Sequence, residues 1–201
     1  MRRVDAPLAL AVSEPLGTVA AGEERRVRRG GSGRRPVRTR IRTRRIHLVD
    51  VENLVGHARL TRDDVRACAT AYRGLDLVGA RDLLVLGCNP GEQLAVGLGW
   101  GGPHRLVVRH GPDGADLALL DVLGREHVER RFDDLVIASG DGVFADEVRR
   151  LRGRGLHVTV VAPVRSAARR LRRAAGRALV PFPSLGDRGA RATARELVPA
   201  A

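Results

Sequence analysis

The chain has 201 residues, long enough for one domain with a substantial core, and 36 basic against 23 acidic side chains give a formal net charge of +13. Two cysteines, Cys68 and Cys88, exclude a disulfide framework or a cysteine-built zinc site, and no apolar run approaches the roughly 20 residues that span a bilayer. A cytoplasmic setting is expected. All 36 basic residues are Arg. A GC-rich coding bias accounts for much of that arginine as solvated surface, although its planar fork also suits phosphate, so a polyanionic partner stays open.

Residues 1–45 hold 13 Arg and 4 acids, so +9 of the net +13 lies there. The start, "MRRVDAPLALAVSEPLG", imitates a signal peptide only weakly, because Ser13, Glu14 and Pro15 interrupt its short apolar run. Glycine, proline and like charge in "GEERRVRRGGSGRRPVRTRIRTRR" cannot bury enough apolar surface to offset ordering entropy. The composition predicts a disordered basic arm over 1–45, either a loose nucleic-acid tether or inert.

From residue 46 short aliphatic runs alternate with amphipathic ones. Strands are predicted at 46–50, 82–87, 104–111, 134–141 and 156–163, with 178–182 as a weak edge strand because of Pro181. Helices are predicted at 61–75, with Thr61 and Asp64 as a capping box, then a short one from Pro90, 114–132, 142–155 and 166–176 behind Ser166. Strands that are apolar throughout, each followed by a helix, mean a mainly parallel sheet covered on both faces: a three-layer α/β domain over 46–183. Residues 184–201 read as a flexible tail.

In such a sheet ligands bind beyond the carboxyl ends of the strands. Asp50 ends the first strand and Asp141, in "IASGDG", ends another. Asp116 falls in the first turn of the helix after "GPDG", at the same rim. Asp121, about 140° further round that helix, does not share its face. Three carboxylates brought together repel unless a proton or cation holds them, and oxygen donors suit Mg²⁺ or Mn²⁺. Asn53 and Ser139 are placed to orient a ligand or water, and Arg105, Arg109 and His110 lie on or beside a strand near that rim. A lone aspartate near a helix start is more often a cap; Asp63, Asp64, Asp82, Asp133 and Asp134 read so, or as solvated. Asp50 and Asp141 both follow buried strands, and a cap explains only one of them well. The four arginines of "SAARRLRRAAG" span more than one helix face and read as a general basic surface. Trp100, in "GLGWGGP", either stacks on an unpaired base or plugs a loop against the core.

The motifs "LVDVENLVG", "GADLALLDVL" and "IASGDGVFADEVRRLRGRGLHVTVVAP", in this order over most of 46–175, resemble the NYN domain family of PIN-like, ribonuclease-type domains. The resemblance implies metal-dependent cleavage of RNA, with single-stranded RNA as the expected partner and Arg105, Arg109 and His110 near enough to grip its backbone. It puts Asp50, Asp116 and Asp141 in the places of the metal-site acids, Asn53 beside the first, and Asp121 on a further family acid. Val143 stands where the family commonly has a second acid after Ser-Gly-Asp, which lowers the expected metal occupancy. A competing reading is an NYN-type module that binds RNA or a protein without cutting well. A third is a phosphotransfer enzyme of the haloacid dehalogenase type, with Glu52 two residues after Asp50; the chain has no lysine for the basic role that scheme wants. No G-x-G-x-x-G follows the first strand, so a dinucleotide fold of the fingerprint type is ranked below all three.

Overall fold

The computed structural model describes residues 44–185 apart from 58, 164 and 184. The arm expected over 1–45 therefore lies outside the described residues up to 43, as does the tail expected over 184–201 except Leu185. Arg45 belongs to the first strand: its guanidinium donates to the Leu77 carbonyl at 2.7 Å and pairs with Asp134 at 3.5 Å.

Six strands form one sheet: β1 (Arg45–Asp50), β2 (Leu83–Cys88), β3 (Arg105–Val108), β4 (Asp134–Ala138), β5 (His157–Pro163) and β6 (Leu179–Phe182). Their spatial order is β3-β2-β1-β4-β5-β6, and every pairing is parallel. The helices are α1 (Val51–Val55), α2 (Arg62–Arg73), α3 (Gln93–Gly99), α4 (Gly114–Arg125), α5 (Val128–Arg131), α6 (Ala145–Gly153) and α7 (Arg169–Ala175). Successive side chains of a strand point to opposite faces. Ile46 and Leu48 of β1 accordingly join a core with Leu119, Val122, Val148 and Leu171 of α4, α6 and α7. Val49 joins a second core with Leu54, Val65, Tyr72 and Val96 of α1, α2 and α3. These are the three layers and the α/β class expected from the apolar strands.

The departures have local causes. The helix expected over 114–132 is two helices, because His127 adopts a left-handed φ of 47° between them. β4 ends at Ala138, three residues before Asp141. Ser166 caps nothing; α7 begins at Arg169 after Ala168 with no side-chain cap. The five-residue α1 was not expected at all, being too short for a helical period to register. The Thr61 capping box forms as predicted, Thr61 Oγ accepting from Asp64 N at 3.1 Å and Asp64 Oδ2 accepting from Thr61 N at 3.1 Å. β6, with Pro181, lies at the sheet edge. Trp100 is the core plug of its two alternatives: it is only 1% exposed, with the Arg73 guanidinium 5.9 Å from its ring. Among the described residues no helix is long and apolar enough to cross a membrane.

Candidate active site

Strand order reverses direction between β1 and β4: the chain runs outward from β1 through β2 to β3, then returns to the other side of β1. A crevice opens at such a switch point beyond the strand ends. Asp50 is the last residue of β1, and the Ser139–Asp141 loop leaves β4 beside it. Asp116, in the first turn of α4, closes the third side. The seat of that turn is tight: a Cβ on Gly114 would lie 2.6 Å from Asn89 Oδ1 and collide with the Arg109 carbonyl, so only glycine lets α4 start here.

Asp50, Asn53, Asp116 and Asp141 line one open pocket of about 210 Å³, together with Glu52, Asn89 and Asp113. Asp50 is 3% exposed and Asp116 7%. Asp50 Oδ1 accepts from Asn53 N at 3.1 Å, which caps α1, and Oδ2 accepts from Ser139 Oγ at 3.2 Å. Asp141 Oδ1 accepts from Val143 N at 2.8 Å and so caps the 3₁₀ turn Gly142–Phe144. Both acids are thus caps, against the expectation that a cap accounts for only one; capping leaves each carboxylate with lone pairs to offer. Asn53 ties the two strand ends together, its Oδ1 accepting from Gly140 N at 2.7 Å.

Asp116 is different. Its Oδ1 is buried without a hydrogen-bond partner. Burial, and after it the Asp50 charge, push the Asp116 carboxyl well above the usual carboxylate range; burial likewise pushes Asp50 up, and the two carboxyls lie close enough to share a proton. Asp141 and Asp113 add further negative field at Asp116. Among the described residues no three His, Cys, Asp or Glu side chains are already drawn into ligating positions. The donor chemistry still suits a hard cation: the donors are carboxylate oxygens of like charge, one of them orphaned.

The remaining sequence candidates fall elsewhere. Ser139 is wholly buried, its Oγ also accepting from Asp141 N at 3.1 Å, so it braces the acids from beneath where a substrate contact was expected. Asp121 pairs with Arg109 at 3.2 Å and Arg125 at 3.7 Å. Arg105 pairs with Glu126 at 2.5 Å. These residues line a separate, larger groove of about 540 Å³ between β3 and α4, where Arg105, Arg109 and Arg125 are each paired with Asp121 or Glu126. His110 is exposed just past β3. Val143, where the family commonly has an acid, is half-buried against the core. Three lining residues went unselected. Glu52 accepts from Asn89 N and Nδ2 at 2.7 and 2.8 Å, a clamp between the ends of β1 and β2. The available signal was position, Glu52 two residues after Asp50 and Asn89 directly after β2; Asp113 sits in the GPDG turn.

A solved structure of a Vibrio parahaemolyticus protein of unknown function is similar at 18% identity and a TM-score of 0.46, over 72% of this chain and 94% of that chain. No curated protein matches the chain. The family model of the NYN domain matches residues 110–181, a stretch that contains Asp116, Asp121 and Asp141 but begins after Asp50 and Asn53. It is the family that the motifs resemble, and the matched residues lie on the all-parallel six-stranded α/β sheet.

Proposed function

We propose that the protein is a metal-dependent ribonuclease that hydrolyses RNA phosphodiester bonds in the acid pocket, with Mg²⁺ or Mn²⁺ held by Asp50, Asp116 and Asp141. The observation that carries this reading is the unpartnered, buried Asp116 Oδ1 beside the Asp50 carboxyl. A protein rarely leaves such an atom without a proton, water or cation to meet it. When bound, the cation polarises the phosphate and raises the acidity of a coordinated water.

The protein's own part is positioning. Asn53 N and Ser139 Oγ fix both oxygens of Asp50, Val143 N fixes Asp141, and the Asn53–Gly140 bond keeps the two strand ends in register. In the hydrolysis the water oxygen bonds to phosphorus as the water gives up a proton, the phosphorus–oxygen bond to the leaving sugar breaks, and that oxygen takes up a proton. The expected result is cleavage of single-stranded RNA by purified protein with Mg²⁺ or Mn²⁺, abolished by chelation, and lost in Asp50→Asn with the thermal transition intact. Cleavage that survives chelation defeats the reading.

A second reading, an RNA-binding module that cuts poorly, is favoured by Val143, whose side chain offers no oxygen donor. Salt-sensitive retention of RNA on a filter, with no cleavage under either ion, selects it.

A further inference from the structure

The α7 helix is docked on the loop that carries Asp141. Ala168 N donates to the Gly140 carbonyl at 2.9 Å and Ala167 N to the Pro163 carbonyl at 3.2 Å, while Leu171 and Ala175 bury the inner face of the helix. Between those anchors the Arg170 side chain lies flat over Gly142, the residue directly after Asp141. A Cβ on Gly142 would stand 2.9 Å from Arg170 Cγ and 3.0 Å from Cδ, and would collide with Nε. Gly142 does not have a left-handed φ. What its missing side chain provides is the space for this arginine.

Arg170 is exposed, and among the described residues no carboxylate or carbonyl pairs with its guanidinium. That is unusual company for a cation whose stem rests one residue from an acid of the pocket. Nearly every other arginine packed across elements here is engaged: Arg45 with Asp134, Arg73 with the Trp100 carbonyl, Arg105 with Glu126, Arg109 with Asp121, Arg152 with the Val158 carbonyl, Arg154 with Glu129. A pocket of carboxylates repels a phosphodiester chain beyond the point of cleavage, so a strand crossing it needs a cation on the rim. Arg170, its stem over the residue that follows Asp141, offers a planar fork that matches two phosphate oxygens.

We infer that Arg170, in the space opened by Gly142, is a substrate-binding residue that holds a phosphate of the RNA strand flanking the cleaved bond on the Asp141 side. The inference rests on the ribonuclease reading and names a residue that the basic character of α7 does not single out. Arg172 is the internal control: it lies about 200° round the helix from Arg170 and is also exposed.

The test uses the full chain. Affinity for a short single-stranded RNA is measured over a salt series in Mg²⁺ on an Asp50→Asn background, so that the strand is not cut, and cleavage kinetics are measured on the otherwise unaltered chain. Arg170→Ala is expected to weaken affinity about tenfold and to flatten the slope of log affinity against log salt by about 0.7, the loss of one phosphate contact on a single strand. KM rises with it more than kcat falls. Arg170→Lys recovers part of the affinity, because the charge remains and the fork is lost. Gly142→Ala displaces the side chain and reproduces Arg170→Ala, and the double variant is no worse than either. Arg172→Ala changes little. Equal effects of Arg170→Ala and Arg172→Ala, on both affinity and slope, overturn the inference while leaving the nuclease standing. Failure of the unaltered chain to bind or cleave RNA overturns the functional reading and this contact with it, and is recognised because no variant is needed to see it.

Discussion

Two buried polar groups stand three residues apart on β1, and they have been treated oppositely by the fold. His47 is wholly enclosed, yet its Nδ1 meets the Tyr72 hydroxyl at 2.8 Å and its Nε2 meets Asp82 at 3.1 Å. Asp82 in turn accepts from Gly79 N at 2.7 Å, with Arg45 4.0 Å away. Each member has a partner of suitable kind. Asp50 is held by Asn53 N and Ser139 Oγ, but the carboxyl next to it is of like charge, and Asp116 Oδ1 has no hydrogen-bond partner. A satisfied network of this sort makes a fold specific, whereas a buried carboxylate oxygen left without a partner among like charges marks a candidate ligand site. Burial by itself identifies neither; the sign and completeness of the surroundings do.

Asp116→Asn is expected to have the largest effect. Removing one of two crowded acids is expected to raise the stability of the cation-free protein by about 1 kcal/mol while lowering cleavage by about a hundredfold or more, a trade of function for stability. Chemical denaturation and a cleavage assay read the two effects; a destabilised variant shows that repulsion does not govern the pocket. Next in size is His47→Ala, which leaves the Tyr72 hydroxyl and Asp82 without their partner. A loss of about 3 kcal/mol is expected, with cleavage per folded molecule unchanged.

The pH dependence follows from the same histidine. Burial holds His47 below its ordinary value against the opposing pull of Asp82, with Arg45 adding to the lowering. Below pH about 6.5 the unfolded chain takes a proton that the folded chain refuses, so this contribution is complete above that pH and is lost as pH falls. Denaturant titrations at stepped pH are expected to show up to about 1.4 kcal/mol lost per unit in that window. In His47→Ala this part of the slope disappears, and its persistence there assigns it to other groups. The smallest effect belongs to Asp121→Asn. An exposed pair with Arg109 and Arg125 is worth little, so stability stays within about 0.5 kcal/mol and the cation requirement is unaltered. A shifted cation requirement would return Asp121 to the site.

Much of this architecture was legible beforehand because it rests on local pattern. Apolar runs at 46–50, 82–87 and 134–141 read as strands buried on both faces, the last of them three residues too long, and the Thr61–Asp64 box announces a helix in four residues. Asp50 and Asp141 were legible because an acid at or just beyond the end of an apolar strand needs a reason. What local pattern missed depended on contacts across the chain. Ser139 looks like a free hydroxyl in sequence, and only the neighbouring Asp50 shows that it faces inward. Asp121 and Arg109 look like site residues until their pairing across the β3–α4 groove appears. Arg170 is one of four similar arginines until Gly142 makes room for it alone.

By itself, then, the order of residues determined the strands, most of the helices, their parallel stacking and the acids that end at one rim, because each follows from periodicity, capping and the cost of burying charge near where it is written. Tertiary structure decided which carboxylates face each other, which one is left without a partner, and which cations are already engaged. Those outcomes depend on distances between residues 50, 116 and 141, set by the packing of β1, β4 and α4, and no short stretch of chain contains them.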